Sequence, residues 1–270
     1  MGTESTPFTP AGKVIVVTGG ASGIGKGLAE RFAAEGARAV VVADLSEAAC
    51  REVAGGLAAG TTGIGIGLDV TDEAAVTAAI ARIEAEAGPI DLYCSNAGIA
   101  SGRQLGSDDE WAKSWNVHLL AHVYAARALV PGWTERGAGH LMLTASAAGL
   151  LTNMDSAPYT VTKHATVALA EWLAINHGDA GIAVHCLCPQ GVDTPMTQRP
   201  DTGTSATRAA GGFLQVTDVA DTVMAALAEN RFLVLPHPEV SEYERRRAGD
   251  RDRWLAGMRR VLAKLRAQRG

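Results

Sequence analysis

The turn at residues 18–25, Thr-Gly-Gly-Ala-Ser-Gly-Ile-Gly, joins the β-branched run Val14–Val17 to a helical pattern. Gly19 lets the chain turn sharply off the strand, Gly23 lets a ligand approach the backbone, and Gly25 lets the helix pack near the sheet. The free N–H groups and the positive dipole end of that helix then face the ligand. Although such turns also occur for purely geometric reasons, this context favours the pyrophosphate of a dinucleotide.

Strand-like runs alternate with helical patterns along the chain, which predicts a parallel sheet covered by helices on both faces. The expected fold class is α/β, a single Rossmann-like doubly wound sheet of about seven strands. With 47% hydrophobic residues and no linker-like stretch between Lys13 and Leu235, the chain is predicted to form one domain, residues 1–270. The predicted strands are Val14–Val17, Ala39–Ala43, Ile64–Leu68, Ile90–Cys94, His140–Ala145, Ile182–Leu187 and Phe232–Leu235. The predicted helices are Lys26–Glu35, Glu47–Leu57, Glu73–Ala87, Asp109–Arg136, Ala157–His177 and Asp218–Glu229, with Ser46, Asp72, Ser156 and Thr217 as N-caps.

Three further motifs follow the glycine turn in order: Asn96-Ala97-Gly98, Ser146, and Tyr159-x-x-x-Lys163, with thirteen positions from Ser146 to Tyr159. With these motifs and the spacing Gly-x-x-x-Gly-x-Gly, the chain resembles the short-chain dehydrogenase/reductase family from about residue 12 to residue 235. The length of 270 residues leaves little room for the second domain of longer relatives, so the chain is similar to the one-domain branch. The resemblance implies hydride transfer between a nicotinamide cofactor and a secondary alcohol or ketone.

Asp44 ends the second predicted strand 19 residues after Gly25, where a carboxylate can accept hydrogen bonds from the adenosine ribose. A 2′-phosphate there would meet like charge, at a cost on the order of 4 kcal/mol per unit charge before screening. Ser22 stands where relatives that use NADP often carry a basic residue. The predicted cofactor is therefore NAD. With the positions that the resemblance adds, the predicted cofactor-binding residues are Gly19, Ser22, Gly23, Ile24, Gly25, Asp44, Leu45, Asp69, Val70, Asn96, Ala97, Gly98, Tyr159, Lys163, Pro189, Val192 and Thr194.

Tyr159 and Lys163 are one helical turn apart, so their side chains share a face and the ammonium lies beside the phenol. A free phenol has a pKa of about 10, and Lys163 together with the positive nicotinamide ring of NAD⁺ would lower it. Tyr159 is therefore the predicted acid/base. The resemblance adds two catalytic residues: Ser146, which orients the substrate oxygen, and Asn116, whose contacts hold a water that links Lys163 to solvent.

The substrate pocket is predicted to follow Ser146 and Pro189. No lysine or arginine lies between residues 147 and 158, which favours an uncharged, largely apolar substrate. Arg199 and Arg208, in a mobile lid predicted at residues 197–213, leave a hydroxy acid or a diol open. The predicted substrate-lining residues are Leu150, Leu151, Asn153, Met154, Gln190 and Met196.

Two positions depart from the pattern that the chain resembles. Ser95 stands where the family usually has an Asn, and it can still supply one hydrogen bond. Gln190 stands where the family commonly has a Gly after the proline, so the backbone near the nicotinamide and the pocket shape are open questions. A catalytically silent NAD-binding sensor or scaffold protein is therefore the alternative function.

No metal site is predicted. The four cysteines, at positions 50, 94, 186 and 188, form no Cys-x-x-Cys pair and are expected in the core. His118 and His122 are one helical turn apart, but no carboxylate is placed to complete a site with them. We expect these histidines in packing or subunit contacts.

Residues 241–270 carry ten Lys/Arg and four Asp/Glu, a net charge of +6 that leaves −11 for the remainder. Trp254, Met258, Val261 and Leu265 repeat at helical spacing, which predicts an amphipathic C-terminal helix docked on its own or a neighbouring subunit. The acidic overall balance speaks against nucleic acid as a partner. The N-terminal residues lack the features of a signal peptide and no apolar run is long enough to span a membrane, so a cytoplasmic protein without membrane contact is expected. The resemblance implies a homo-oligomer, a tetramer or dimer, built through the helices at 109–136 and 157–177.

Overall fold

The computed structural model of the chain describes residues 7–198 and 212–267. Within them, seven strands form one parallel sheet in the order β3-β2-β1-β4-β5-β6-β7. This is the doubly wound Rossmann-like arrangement that the alternating pattern predicts, and each predicted strand is present. The strands are β1 (Val14–Thr18), β2 (Ala39–Asp44), β3 (Thr62–Gly67), β4 (Leu92–Ser95), β5 (Gly139–Thr144), β6 (Ile182–Leu187) and β7 (Leu233–Val234).

Helices cover both faces of the sheet. They are α1 (Gly23–Ala34), α2 (Glu47–Gly55), α3 (Glu73–Ala87), α4 (Asp108–Trp115), α5 (Ala121–Arg136), α6 (Ala147–Leu150), α7 (Ala157–His177), α8 (Pro195–Gln198), α9 (Val216–Ala228), α10 (Glu239–Gly249) and α11 (Arg251–Ala267). Among the helices described, none combines the length and the apolarity needed to cross a membrane.

Alternate residues of β1 point to opposite faces of the sheet and join two separate cores. Val14 and Val16 pack in a core with α3, α5 and α7, whereas Ile15 and Val17 pack in a second core with α1 and α9. All five residues of β1 are buried. Because a parallel sheet is covered on both faces, its strands need continuous apolar runs, as this sequence has.

The strand order reverses beside β1, which pairs with β2 on one side and β4 on the other. Ligands of such sheets bind in the crevice beyond the carboxyl ends of the strands at this reversal. The strand ends bring Thr18, Asp44, Ser95 and Thr144 to that edge.

Two sequence-based details of the helices are wrong. The helix predicted over Asp109–Arg136 is interrupted by a π-helical turn, Asn116–Leu120, which separates α4 from α5. Thr217 lies inside α9 rather than at its N-cap, because Gln215 takes that place and donates its backbone N–H to Asp218 at 2.9 Å. The other predicted N-caps are confirmed: Ser46, Asp72 and Ser156 each accept a backbone N–H.

Candidate active site

Two adjoining cavities lie at the carboxyl edge of the sheet. The larger has a volume of about 640 Å³ and the smaller about 320 Å³. Ser146 and Tyr159 line both of them. The motifs that the sequence separates by more than 100 residues therefore meet at one junction.

The smaller cavity is built from the residues predicted to bind the cofactor. Its lining contains every one of them: Gly19, Ser22, Gly23, Ile24, Gly25, Asp44, Leu45, Asp69, Val70, Asn96, Ala97, Gly98, Tyr159, Lys163, Pro189, Val192 and Thr194. Sequence reasoning missed further lining residues, among them Val117, His118 and Pro195.

The start of α1 is suited to an anionic group. Ser22, at the N-cap, makes no side-chain capping hydrogen bond, and the first turn has no acidic residue. The first N–H groups of the helix thus keep their hydrogen-bonding capacity, unlike those of α2 and α3, which are capped by side chains. A Cβ on Gly19 would lie 2.9 Å from the Ala97 backbone, so a side chain there would collide with the cavity wall. This cradle fits a dinucleotide pyrophosphate.

Asp44 lies at the far end of the same cavity. Its carboxylate accepts hydrogen bonds from the backbone N–H groups of Ala21 at 3.2 Å and Leu45 at 2.8 Å, which fix its position beside the glycine turn. Among the described lining residues, Lys163 is the one lysine or arginine, and it lies by Thr144 at the end of β5.

Asn96 ties three strands together below the cavity. Its Nδ2 donates to the carbonyl of Thr18 at 3.0 Å, and its Oδ1 accepts from the hydroxyl of Thr144 at 3.0 Å. The backbone N–H of Asn96 also donates to Thr18 Oγ1 at 2.9 Å. This network fixes the ends of β1, β4 and β5 relative to one another.

Tyr159 and Lys163 lie in the first two turns of α7, as their spacing predicts. The Lys163 ammonium is 5.8 Å from the centroid of the Tyr159 ring, and it donates to the carbonyl of Thr144 at 2.8 Å. Burial lowers the pKa of Lys163 to about 8, so the ammonium is mostly charged at neutral pH.

In the protein by itself, the pKa of the Tyr159 phenol is raised, whereas the sequence predicts that Lys163 lowers it. Burial raises its pKa above the ordinary value, and the opposing, lowering effect comes from a hydrogen bond with Ser146 rather than from Lys163. The Lys163 ammonium is directed to the Thr144 carbonyl and not to the phenol oxygen, so its effect on the pKa of Tyr159 is small. Without a further positive charge nearby, Tyr159 keeps its proton at neutral pH.

Asn116 does not reach the site. It is exposed and lines neither cavity. Positions 116 and 118 are about 200° apart around a helix, so when His118 faces inward Asn116 faces solvent. The structure therefore does not support the role that the resemblance implies for Asn116, which is to hold a water that links Lys163 to solvent.

His118 occupies the inward position instead. It is fully buried, and its ring lies edge-on to Tyr159 with a centroid distance of 5.4 Å. Its Nδ1 is 3.0 Å from Thr162 Oγ1, and its Nε2 lies 3.0 Å from the carbonyl oxygen of Ile99 and 3.2 Å from the backbone nitrogen of the same residue. Burial and the nearby Lys163 lower the pKa of His118, so the ring is neutral. The sequence feature that could have identified His118 is its helical spacing with positions 122 and 125, which places all three on one face, and all three are buried.

Of the two departures from the family pattern, Ser95 keeps a hydrogen bond, whereas the side-chain Oε1 of Gln190 is buried without a hydrogen-bond partner among the described residues. His122 Nδ1 lies 2.6 Å from Ser95 Oγ, so the serine supplies one hydrogen bond, as predicted. The backbone N–H of Gln190 donates to His237 Nδ1 at 3.2 Å, and the Gln190 side chain lines both cavities. Gln190 therefore lies at the junction of the two cavities.

The larger cavity contains most of the residues predicted to line the substrate pocket. Leu151, Asn153, Met154, Gln190 and Met196 lie in its wall. Leu150 does not, because its side chain is buried in the core beneath α6. Arg199 and Arg208 of the predicted lid lie outside the described residues.

The C-terminal helices supply a wall of the larger cavity that the sequence reasoning did not assign to it. Tyr243 and Arg246 of α10 contribute, as do Trp254, Met258 and Val261 of α11. The predicted C-terminal segment is helical but is divided at Asp250 into two helices, and of its predicted buried seam Leu265 alone is buried.

Charged groups also line this cavity. Arg103 and Arg246 are matched in number by Glu110 and Asp155 among the described lining residues. The wall at 147–158 that the sequence marks as free of lysine and arginine therefore faces arginines from other segments.

Cysteines and histidines form no metal centre in the part of the chain that the structure describes. Cys50, Cys94, Cys186 and Cys188 are buried with free thiols, which confirms them as core residues.

Comparisons with known proteins agree with this architecture. The family model for short chain dehydrogenases matches residues 13–204. A 1-deoxy-11-beta-hydroxypentalenate dehydrogenase of Streptomyces exfoliatus is 38% identical over 235 residues, 84% of each chain. A 3beta-hydroxysteroid dehydrogenase of Mediterraneibacter gnavus is 33% identical over 190 residues, 69% of this chain and 68% of its own.

A solved structure is also similar over most of the chain. The crystal structure of a short chain dehydrogenase/reductase from Burkholderia phymatum in complex with NAD has a TM-score of 0.81 and 32% identity, covering 91% of this chain and 96% of that one. The chain therefore belongs to the short-chain dehydrogenase/reductase family and is an oxidoreductase that acts on hydroxyl groups.

Proposed function

We propose that the chain is an NAD-dependent dehydrogenase that interconverts a secondary alcohol and a ketone, with Tyr159 as the acid/base. The observation that carries this proposal is the position of Tyr159 and Ser146 at the junction of the two cavities. A substrate in the larger cavity and a nicotinamide in the smaller one would meet at this junction.

The residues at the junction divide the work. When bound, the nicotinamide supplies hydride acceptance or donation. Tyr159 holds a proton at its phenol oxygen, which it donates to a ketone oxygen or recovers from an alcohol. Ser146 bonds to the Tyr159 phenol and is placed to orient the same substrate oxygen. The Lys163 ammonium, 5.8 Å from the centroid of the Tyr159 ring, would favour the phenolate together with the positive nicotinamide ring of bound NAD⁺.

NAD, rather than NADP, is proposed from the charge distribution. Asp44 places a carboxylate at the adenosine end of the smaller cavity, and the described lining has no cation there to neutralise a 2′-phosphate. The related structure from Burkholderia phymatum, which was solved with NAD, supports this choice.

The proposed substrate is uncharged and largely apolar. The charges of the larger cavity balance, and Arg246 is already paired, with its Nε 2.8 Å from Glu242 Oε1. Leu151, Met154 and Trp254 supply apolar surface. A relative named for a hydroxysteroid supports an uncharged ring alcohol, whereas the relative named for a hydroxypentalenate, which is a carboxylate, supports a ring hydroxy acid as the second candidate.

We also propose a homo-oligomer in the cytoplasm. An apolar stripe runs along α7 through Val161, Trp172 and Ile175, and the last of these is 82% exposed. Exposed apolar surface of this kind marks a contact with another chain. The free cysteines suit a reducing compartment.

The test is a panel of secondary alcohols with NAD⁺, comparing the wild type with Tyr159→Phe. Loss of the acid/base should lower kcat by roughly 10²- to 10⁴-fold. NADH binding, followed by fluorescence, should change little because the phenol contributes one of many contacts. Tyr243→Phe is the matched control, since Tyr243 lines the larger cavity away from the junction.

If Tyr159→Phe kept more than about a tenth of the wild-type rate, the assignment of the acid/base would be wrong. A wild type that binds NADH but turns over no alcohol or ketone would instead support the NAD-sensing or scaffold alternative.

A further inference from the structure

The apolar face of α11 lines the larger cavity and does not pack against a hydrophobic core. Leu265 is the one buried residue among positions 251–267, all of which are described. Trp254, Met258 and Val261, at spacings of four and three, line the larger cavity. Their apolar surface therefore lacks the packing that an amphipathic helix normally finds on its own protein.

The cavity beneath this face is much larger than a small alcohol requires. Its volume of about 640 Å³ is within the range of sites for drug-sized ligands, roughly 300–1,000 Å³. Tyr159 and Ser146 lie at one end of it, and the indole of Trp254 belongs to the wall formed by the C-terminal helix. A single six-membered ring held at Tyr159 would leave most of this space empty.

We propose that the substrate itself covers the apolar face of α11, so that Trp254 and Met258 are specificity-determining residues for a bulky, fused-ring secondary alcohol. This inference rests on the proposed function, because it takes the hydroxyl to be held at Tyr159. The family model matches residues 13–204, so this wall lies outside the matched residues.

The kinetic test compares three alcohols of increasing size with NAD⁺: cyclohexanol, 2-decalol and the 3β-hydroxysteroid pregnenolone. Trp254→Ala should raise KM for 2-decalol and for the steroid by roughly tenfold or more, because the contacts of a large aromatic side chain are lost. KM and kcat for cyclohexanol should stay within about twofold, since a small ring does not reach the helix. Met258→Ala should show the same size dependence with a smaller factor.

Leu255→Ala is the matched control. Leu255 follows Trp254 on the same helix, is 50% exposed and does not line the cavity. All three alcohols should keep their constants within about twofold in this variant. An equal loss for cyclohexanol, or an equal effect of Leu255→Ala, would overturn the inference.

A second measurement does not depend on turnover. Hydrogen exchange of the amides at 251–267 should slow roughly tenfold or more when 2-decalol or pregnenolone is added to the NADH complex, and not when cyclohexanol is added. No slowing with either bulky alcohol would overturn the inference. If no alcohol is oxidised but the bulky alcohols still slow exchange, the proposed function is wrong, whereas the binding of a bulky ligand at the apolar face of α11 is supported.

Light scattering tests whether a second copy of the chain, and not the substrate, covers the apolar face of α11. Trp254→Ala should leave the oligomer mass unchanged. A lower mass would show that the face of α11 is an interface between subunits, which contradicts a wall formed for substrate.

Discussion

Asp44 is the residue on which the choice between NAD and NADP depends most directly. We expect the wild type to favour NAD over NADP by about tenfold or more in kcat/KM, since the 2′-phosphate would face the carboxylate. Asp44→Ala should narrow that gap by removing the repulsion. The control is Glu47→Gln, a nearby carboxylate that pairs with Arg51 and lines neither cavity. Faster turnover of NADP by the wild type would contradict the interpretation of Asp44.

We expect His118 and Asn116 to respond differently to substitution by alanine. Substituting His118 by Ala leaves the Ile99 N–H and the Thr162 hydroxyl without this partner inside the protein, at a cost of about 2–4 kcal/mol in unfolding free energy. Because the His118 ring also packs edge-on against Tyr159, kcat should fall as well. Asn116→Ala should change stability by less than about 0.5 kcal/mol, since its side chain is exposed.

Urea unfolding and steady-state kinetics on both variants measure this difference. If Asn116→Ala lowered kcat while His118→Ala did not, the inward position would have been assigned to the wrong residue.

At the scale of helices and strands, the sequence predicts most of the architecture because continuous apolar runs and helical periodicity are local signals. The carboxyl edge could be predicted for the same reason: each motif follows a recognisable strand, and parallel strands end together. Thus Gly19, Asp44 and Ser146 are placed correctly at that edge without any knowledge of tertiary contacts.

The errors arise where a helix changes its period or where contacts are remote in sequence. The π-helical turn Asn116–Leu120 has no local signature, and the resemblance points to Asn116 although the structure directs His118, and not Asn116, to the smaller cavity. The sequence predicts Leu150 in the pocket wall because it follows Ser146 closely, and α6 is too short for periodicity to show that this side chain is buried in the core. The apolar side of α11 was visible in the sequence, but its position over the larger cavity depends on tertiary packing.

At the scale of the whole molecule, one sheet carries both cavities, and the C-terminal helices close the larger one. This continuity supports the proposal that the chain is one domain. The integrity of the site also depends on the global stability of the fold, because Ala145 and Val192, which line the smaller cavity, each belong to one of the two cores.

Buried histidines make that global stability sensitive to acid. Burial lowers the pKa of His122 and of His140 to about 3, and it also lowers the pKa values of His118 and His185. In the unfolded chain a histidine has a pKa of about 6.5. Between pH 6.5 and pH 3 the unfolded state therefore binds more protons than the folded state, and the unfolding free energy falls as the pH falls.

Each such histidine contributes a slope of up to about 1.4 kcal/mol per pH unit in that window. We therefore expect the urea midpoint of the wild type to drop steeply between pH 6.5 and pH 5, before most carboxylates titrate. His140→Gln should reduce this slope, because its amide can still donate to His185 Nε2, which lies 3.2 Å from His140 Nδ1, without a proton to gain. A His140→Gln slope equal to that of the wild type would show that acid destabilises the fold through other groups.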